Sequence, residues 1–230
     1  MAELADAQDL GSCEATRGGS IPLDRTKDNM KPVFIGIAGG TGSGKSTLCT
    51  TLQDKYPDEI GLIQLDDYFK LSAEVPQFEG HTNWDHPNAL YLDKLATDLF
   101  KLSQGKPVII NTKNERLNPN YKKTNKRIPI EFQPKPIMLV EGYLVLWDKQ
   151  IRNLLNTSIW LEASHDTRWK RRLHFKYLEY EKNVLIPMYK QFAEPTKQYA
   201  NHIINVSNLT KEQVFKVVSG IISQVTTSKI

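Results

Sequence analysis

A glycine-rich stretch followed by lysine and serine is the part of this chain whose spacing predicts its chemistry. Residues 39–46 read Gly-Gly-Thr-Gly-Ser-Gly-Lys-Ser and meet the pattern G-x-x-x-x-G-K-[ST]. Glycines let the backbone curl so that successive N–H groups point at phosphate oxygens, and a helix beginning here adds its positive end. In such a loop the lysine reaches the terminal phosphates and the serine hydroxyl binds Mg²⁺. The stretch therefore predicts a site for a nucleoside triphosphate with Mg²⁺.

The residues on either side of the loop support this interpretation. Residues 33–38 form a short apolar run typical of a buried parallel strand, and residues 47–53 continue as a helix. The alternative, a glycine-rich strand-to-helix turn without a ligand, is disfavoured because eight positions and their setting agree. The loop residues expected to bind the nucleotide are Gly39, Gly40, Thr41, Gly42, Ser43, Gly44, Lys45, Ser46 and Thr47.

Carboxylates follow two further apolar runs. Asp66 comes after residues 60–65, and Glu141 comes after residues 136–140. Open α/β sheets bind their ligands beyond the carboxyl ends of the strands, and phosphoryl transfer needs a carboxylate near the metal and a residue that orients or deprotonates the acceptor. We expect Glu141 in the metal shell and prefer Asp66 to Asp67 as the base; Asp66 is also a candidate for the metal shell. The alternative for each carboxylate is a helix N-cap or a turn.

The alternation of strand and helix patterns predicts an α/β fold of the P-loop NTPase type, with a parallel sheet and helices on both faces. Further sheet strands are expected at 60–65, 136–140 (as a central strand), 158–161 and 201–206. Helices are expected at 89–102, from 164, at 184–199, and after a capping box of Thr210 and Gln213. Short strands at 107–110 and 128–132 predict a small inserted hairpin around a basic loop.

Composition excludes several classes of protein. No apolar run reaches the roughly 20 residues that cross a bilayer. The first segment lacks a basic start followed by an apolar stretch, so we expect no secretory signal. Cys13 and Cys49 form no metal-ligand pattern. We expect a cytoplasmic protein that does not bind membranes.

The net charge of the chain is +4. The first 29 residues are acidic, with six acids and three bases, so the excess of basic residues lies after residue 29. A basic surface suits a site that gathers triphosphate. Nucleic-acid binding is the rival explanation, and the cluster of Lys122, Lys123, Lys126 and Arg127 has few aromatic neighbours. We expect no nucleic-acid partner.

Residues 1–29 have neither helical nor strand periodicity and are expected to be a disordered tail outside a kinase domain spanning residues 30–230. One explanation is an ordinary tail. The other is a start assigned too far upstream of Met30, since residues 1–26 resemble a translated transfer RNA gene.

Several segments together resemble one known family. They are residues 35–46, Asp-Asp-Tyr-Phe-Lys at 66–70, Trp-Asp-His-Pro-Asn-Ala at 84–89, Leu-Val-Glu-Gly at 139–142, residues 166–172, and Glu-Pro-Thr-Lys-Gln-Tyr-Ala at 194–200. The chain resembles the uridine kinase (uridine–cytidine kinase) family of phosphate-loop kinases, which is itself similar to nicotinamide riboside kinase, phosphoribulokinase and bacterial pantothenate kinase. The Asp-His-Pro and Pro-Thr-Lys-x-Tyr-Ala segments are the more specific ones.

The resemblance implies a role for particular residues. It implies Asp66 as the catalytic base, Ser46 and Glu141 around Mg²⁺, and Asp85 on the ribose hydroxyls, with Phe69 also at the substrate site. It implies phosphate-binding arginines at the start of a short lid: Arg168, Arg171 and Arg172. On a helix these three share one face, and guanidinium groups suit phosphate oxygens. The alternative is a solvated basic helix face.

Two departures from the family pattern concern the acceptor. Uridine kinases usually have a Tyr-Asp-Phe…His-Ser-Arg stretch where this chain has residues 109–116, of which only the arginine is kept, and the Arg-Gly-Arg lid is absent. Asn111, Asn114 and Arg116 are therefore expected to contact the acceptor.

The expected activity is ATP- and Mg²⁺-dependent phosphorylation of a small hydroxyl-bearing metabolite, with the 5′-hydroxyl of uridine or cytidine preferred. Nicotinamide riboside, pantothenate or a sugar phosphate are the alternative acceptors. A GTPase-type switch is the rival class; it lacks support because N-K-x-D is absent and the D-x-x-G at residues 58–61 precedes a strand. The sequence leaves homo-oligomerisation open.

Overall fold

The computed structural model describes residues 31–171 and 178–227. The strands are β1 (Val33–Ala38), β2 (Ile60–Gln64), β3 (Gln77–Phe78), β4 (His81–Thr82), β5 (Val108–Thr112), β6 (Ile128–Phe132), β7 (Ile137–Glu141), β8 (Thr157–Glu162) and β9 (His202–Asn205). The α-helices are α1 (Lys45–Lys55), α2 (Leu92–Ser103), α3 (Tyr121–Thr124), α4 (Lys149–Leu154), α5 (His165–Arg171), α6 (Leu178–Tyr180), α7 (Ile186–Met188) and α8 (Lys211–Thr227). The predicted tail at 1–29 and the lid arginine Arg172 lie outside the described residues.

Within the described residues, five strands form one parallel sheet in the order β2-β7-β1-β8-β9. Ile37 of β1 pairs with Glu141 of β7, which in turn pairs with Gln64 of β2. Because these strands are parallel, their carboxyl ends meet at one edge, which brings the loop after β1 beside Glu141 and the turn after β2. The expectation of a central β7 needs a small correction: β1 is the middle strand, and β7 lies between β1 and β2.

Helices cover both faces of the sheet. Alternate residues of β1 point to opposite faces, so Phe34 packs in one buried cluster and Ile35 in the other. Helices α2 and α4 pack on the Phe34 face, through residues such as Leu99 and Ile151. Helices α1 and α8 pack on the Ile35 face. Burying each such side chain contributes about 1.5–3 kcal/mol, which holds the strands in register and confirms the predicted layers.

The predicted hairpin is present beside the sheet. Strands β5 and β6 pair antiparallel from Val108 opposite Phe132 to Thr112 opposite Ile128. At the end of β5, Thr112 Oγ1 donates to Asp67 Oδ2 at 2.9 Å, and the N–H of Lys113 donates to Asp67 Oδ1 at 2.8 Å. The hairpin is thereby attached to the turn after β2, at the carboxyl edge of the sheet.

The helix expected at 184–199 is less regular than predicted. The chain is helical from Leu178 to Tyr199, but α6 and α7 alternate with π-helical turns at Glu181–Leu185 and Tyr189–Ala193, followed by a 3₁₀ segment at Glu194–Tyr199. Prolines at 187 and 195 lack the N–H that an α-helical ladder needs, so a regular α-helix cannot run through them.

The start of α8 agrees with the prediction. Thr210 Oγ1 accepts from the N–H of Gln213 at 3.2 Å, and the Gln213 side chain accepts from the N–H of Thr210 at 2.8 Å. The capping box is therefore formed in both directions. Among the helices described, none combines the length and apolar character required to span a membrane.

Candidate active site

The phosphate loop joins β1 to α1 with the geometry that its glycines require. Gly44 precedes α1 with φ of 96°, a conformation that side-chain-bearing residues rarely adopt. At Gly40 a Cβ atom would lie 2.2 Å from Nη1 of Arg168, so a side chain there would have to displace that guanidinium. Ser43 Oγ is buried in the loop and has no hydrogen-bond partner among the described residues. The loop thus contains a buried polar group whose hydrogen bonding is unsatisfied within the described part of the chain.

Lys45, the first residue of α1, is buried, and its Nζ donates to the carbonyl oxygen of Gly40 at 3.1 Å. Burial lowers the pKa of Lys45 from its ordinary value of 10.5, while the carboxylates of Glu141 and Asp66 oppose that shift. The ammonium group lies inside the loop, close to carboxylates from two neighbouring strand ends.

A line of hydrogen bonds connects the end of β7 to the hairpin. Ser46 Oγ donates to Glu141 Oε1 at 3.3 Å, and Gln64 Nε2 donates to Glu141 Oε2 at 3.4 Å. Asn114 Nδ2 then donates to Gln64 Oε1 at 2.6 Å. Burial raises the pKa of Glu141, and the nearby Lys45 cation opposes the shift. Ser46 and Glu141, which the sequence places together, are in contact, whereas Asn114 supports Gln64.

Arg168 lies against the phosphate loop. It is buried on α5, and its guanidinium carbon is 4.2 Å from the ring centre of Tyr189. Nε has no hydrogen-bond partner among the described residues. A buried guanidinium that stacks on an aromatic ring, contacts Gly40 and retains an unsatisfied donor is well placed for an anion.

Arg171 has a different setting from Arg168. It is exposed, and its Nη2 donates to the carbonyl oxygen of Val206, just after β9, at 3.0 Å. It nevertheless reaches the wall of the large cavity described next.

A cavity of about 1270 Å³ extends from the phosphate loop to the hairpin. Thr41 lines it at the loop end. The predicted residues Asp66, Phe69 and Asp85 also line it. The structure therefore brings the phosphate loop, the candidate base and the candidate ribose-binding carboxylate to one cavity.

Asp66 and Asp67 differ clearly in environment. Asp66 is exposed to the cavity, and its Oδ2 is 3.1 Å from Nζ of Lys113. Asp67 points instead to the hairpin, where it accepts from Thr112 and Lys113. Burial raises the pKa of Asp67, and those two hydrogen bonds oppose the shift. This geometry supports the preference for Asp66 as the residue facing a substrate.

Asp85 and Phe69 form another part of the cavity wall. Asp85 Oδ2 accepts from the hydroxyl of Tyr180 at 2.9 Å. The ring of Phe69 meets that of Trp84 edge to face, with centroids 5.5 Å apart. Aromatic surface beside a carboxylate suits a ligand that has both a flat ring and hydroxyl groups.

None of the three predicted acceptor residues lines the cavity, and Asn114 is hydrogen-bonded to Gln64. Asn111 is exposed on β5, where the alternation buries Val108, Ile110 and Thr112 instead. Arg116 pairs with Asp54 near the end of α1. The strand period places Asn111 out of phase with the buried side chains, which the sequence pattern alone could have indicated.

The hairpin instead supplies residues that the sequence reasoning missed. Lys113, Tyr121, Asn125 and Arg127 line the cavity. Arg127 Nη1 also donates to the carbonyl oxygens of Asp67 at 3.0 Å and Phe69 at 3.2 Å, so it fixes the turn that carries Asp66. The sequence signal for Arg127 is its place in the basic cluster with Lys122, Lys123 and Lys126.

Residues 34–212 match the model of the family described as "Phosphoribulokinase / Uridine kinase family". The chain belongs to this family. Its members include curated relatives named "Uridine kinase": the protein of Clostridium novyi (strain NT) is 36% identical over 205 residues, which cover 84% of this chain and 96% of the relative. The protein of the same name from Brevibacillus brevis is 36% identical over 188 residues, covering 75% and 84%.

A solved structure described as "a Possible Uridine Kinase from Bacillus stearothermophilus" has the same fold as this chain. It superposes with a TM-score of 0.54, covering 77% of this chain and 91% of that one. At 14% identity the likeness concerns the fold. The predicted resemblance and the predicted phosphate-loop kinase fold are both confirmed.

Proposed function

We propose that this protein transfers the γ-phosphoryl group of ATP to the 5′-hydroxyl of uridine or cytidine, with Mg²⁺. The observation that carries the proposal is the shared cavity: the phosphate loop and Asp66 open into the same space, in a chain 36% identical to a protein named "Uridine kinase" over 84% of its length.

The residues around the loop fit a triphosphate. Lys45 and Arg168 place two buried cations beside Gly40, and Ser43 Oγ lies in the same loop without a partner. Buried donors without a partner are costly, and phosphate oxygens would satisfy Arg168 Nε and Ser43 Oγ, which have none among the described residues. We infer that Lys45 binds the terminal phosphates and that Arg168 binds the phosphate being transferred.

The donors next to the loop fit Mg²⁺ in the way that phosphate-loop kinases use it. Ser46 and Glu141 present a hydroxyl and a carboxylate oxygen in contact with each other. The described residues contain no cluster of three or more histidine, cysteine or acidic side chains that would hold a metal by itself. Mg²⁺ commonly binds one or two carboxylates and completes its octahedron with water and substrate phosphates. When bound, the ion would neutralise charge on the phosphates; Ser46 and Glu141 are the residues that would hold it.

On the acceptor side, Asp66 would take or orient the proton of the attacking hydroxyl. An exposed carboxylate at the strand end faces the loop that holds the γ-phosphate, whereas Asp67 is occupied by the hairpin. Asp85 would bind the ribose hydroxyls. Phe69 and Trp84 offer an aromatic surface for the nucleoside.

Release of ADP from the purified protein, measured with a panel of acceptors, tests the proposal. We expect turnover with uridine or cytidine, and little with nicotinamide riboside, pantothenate or sugar phosphates. Lys45→Ala should abolish turnover with uridine or cytidine. Lys55→Ala, at the far end of the same helix, should leave this turnover in place. A wild-type protein that phosphorylated another member of the panel but neither pyrimidine nucleoside would contradict the proposed acceptor and leave the kinase assignment in place.

A further inference from the structure

Two tyrosine hydroxyls hold the main chain of Trp84, the residue before Asp85. The N–H of Trp84 donates to Tyr180 Oη at 3.1 Å, and its carbonyl oxygen accepts from Tyr143 Oη at 2.8 Å. Tyr180 Oη also lies 2.9 Å from Asp85 Oδ2. The same hydroxyl therefore contacts both the backbone and the carboxylate of this segment.

The hydrogen-bond roles at Tyr180 are fixed by its neighbours. A backbone N–H can only donate, so the hydroxyl oxygen accepts from Trp84, and its single proton is directed to the carboxylate of Asp85. Burial, the charge of Asp85 and the hydrogen bond to it raise the pKa of Tyr180, so the phenol remains a donor at neutral pH. Fixing Oδ2 in this way restricts rotation of the Asp85 carboxylate.

The segment that carries Tyr180 also supports other parts of the site. Asn83 Nδ2 donates to Sδ of Met188 at 3.1 Å, which attaches the residue before Trp84 to the same helical run. Tyr189, one residue further, stacks on Arg168. The run from Leu178 to Tyr199 thus contacts both the acceptor carboxylate and the phosphate arginine.

We propose that Tyr180 is a positioning residue for acceptor specificity: its hydroxyl holds Asp85 in the orientation that binds the ribose hydroxyls of the nucleoside. The inference rests on the proposed function. It goes beyond the family resemblance, which assigns a role to Asp85 and none to Tyr180. A tyrosine hydroxyl at this place would favour acceptors with a vicinal diol, because a fixed carboxylate can accept from two adjacent hydroxyls.

Steady-state kinetics of Tyr180→Phe with uridine tests the inference. Since hydrogen bonds to charged groups are among the stronger ones, we expect the KM for uridine to rise about 5- to 50-fold. The kcat and the KM for ATP should change less than about twofold, because no group that contacts ATP is removed. Tyr91→Phe is the matched control: Tyr91 also donates to a carboxylate, Glu74 Oε2 at 2.8 Å, but it lies outside the residues lining the cavity.

A second acceptor separates positioning from a structural role. With 2′,3′-dideoxyuridine, which has no hydroxyls for Asp85, wild type and Tyr180→Phe should have equal kcat/KM within about twofold. In an Asp85→Ala background, Tyr180→Phe should likewise leave the KM for uridine unchanged. An equal loss with both acceptors, or an unchanged KM for uridine in Tyr180→Phe, would overturn this inference alone. A wild type inactive on uridine would overturn the proposed function, and this inference with it.

Discussion

Lys113 Nζ lies 3.1 Å from Oδ2 of Asp66, at the point where the inserted hairpin meets the carboxyl edge of the sheet. The side chains are 30% and 51% exposed, so water screens the pair. Such exposed pairs contribute about 0.2–1 kcal/mol. The pair orients the candidate base and contributes little to the stability of the fold.

Lys113→Met should therefore have a modest effect. We expect kcat to fall by no more than about fivefold, the kinetic equivalent of an exposed pair. The free energy of unfolding should change by less than about 1 kcal/mol. Turnover and urea unfolding of the variant measure both quantities. A loss of activity as large as that of a catalytic substitution would show that Lys113 does more than orient Asp66.

Asp67 should affect the pH dependence of stability. Because burial raises its pKa in the folded protein above the ordinary 3.8, its contribution to stability is fully present below that value and is lost as the pH rises through the folded pKa. Asp67→Asn removes this titration and keeps an oxygen for the N–H of Lys113. Between about pH 4 and pH 7, the unfolding free energy of wild type should therefore fall relative to that of Asp67→Asn. A constant difference across this range would contradict the assignment.

Glu141→Gln should weaken the dependence on metal, because the amide keeps the shape of the side chain and loses its charge. We expect the Mg²⁺ concentration at half-maximal activity to rise about 10- to 100-fold, the range found for residues that support a metal site. Glu162→Gln is the control, since Glu162 also ends a strand but pairs with Lys197. An unchanged Mg²⁺ titration of Glu141→Gln would remove Glu141 from the metal site.

The two described arginines of α5 should differ in their effects. Arg168→Ala should lower kcat/KM for ATP about 10- to 100-fold, the equivalent of a hydrogen bond to a charged group. Arg171→Ala should lower kcat/KM for ATP by less than about threefold, because the Arg171 guanidinium donates its hydrogen bond to the carbonyl oxygen of Val206. Arg168→Lys should restore only part of the loss, since lysine lacks the planar group that stacks on Tyr189. Equal losses for the two alanine variants would mean that both arginines bind phosphate.

The parts of the fold that the sequence predicted depend on local patterns. β1 was predicted at its observed bounds because a buried parallel strand is a continuous apolar run. The capping box was predicted because Thr210 and Gln213 are only three positions apart in the chain. The order of the strands in the sheet could not be predicted in this way. That β1 rather than β7 is the middle strand follows from pairing between distant segments, which no local pattern encodes.

The difference between local patterns and long-range contacts also explains which residues of the candidate site were predicted. Asp66 was predicted because it ends an apolar run, and Asp85 because a family motif contains it. Arg127 and Lys113 reach the cavity through docking of the hairpin, which depends on hydrogen bonds to Asp67 across more than 40 residues of chain. Tyr180 meets Asp85 across 95 residues. Contacts of that kind require the tertiary structure.

The kcat of Asp66→Asn with uridine, compared with that of Asp67→Asn, tests the central claim most directly. General-base assistance contributes ~10²–10⁴-fold, so Asp66→Asn should lose about that factor while its KM for ATP, set by the phosphate loop and Lys45, stays near the wild-type value. Asp67→Asn should keep most of its kcat. Near-normal kcat in Asp66→Asn together with an inactive Asp67→Asn would contradict the account.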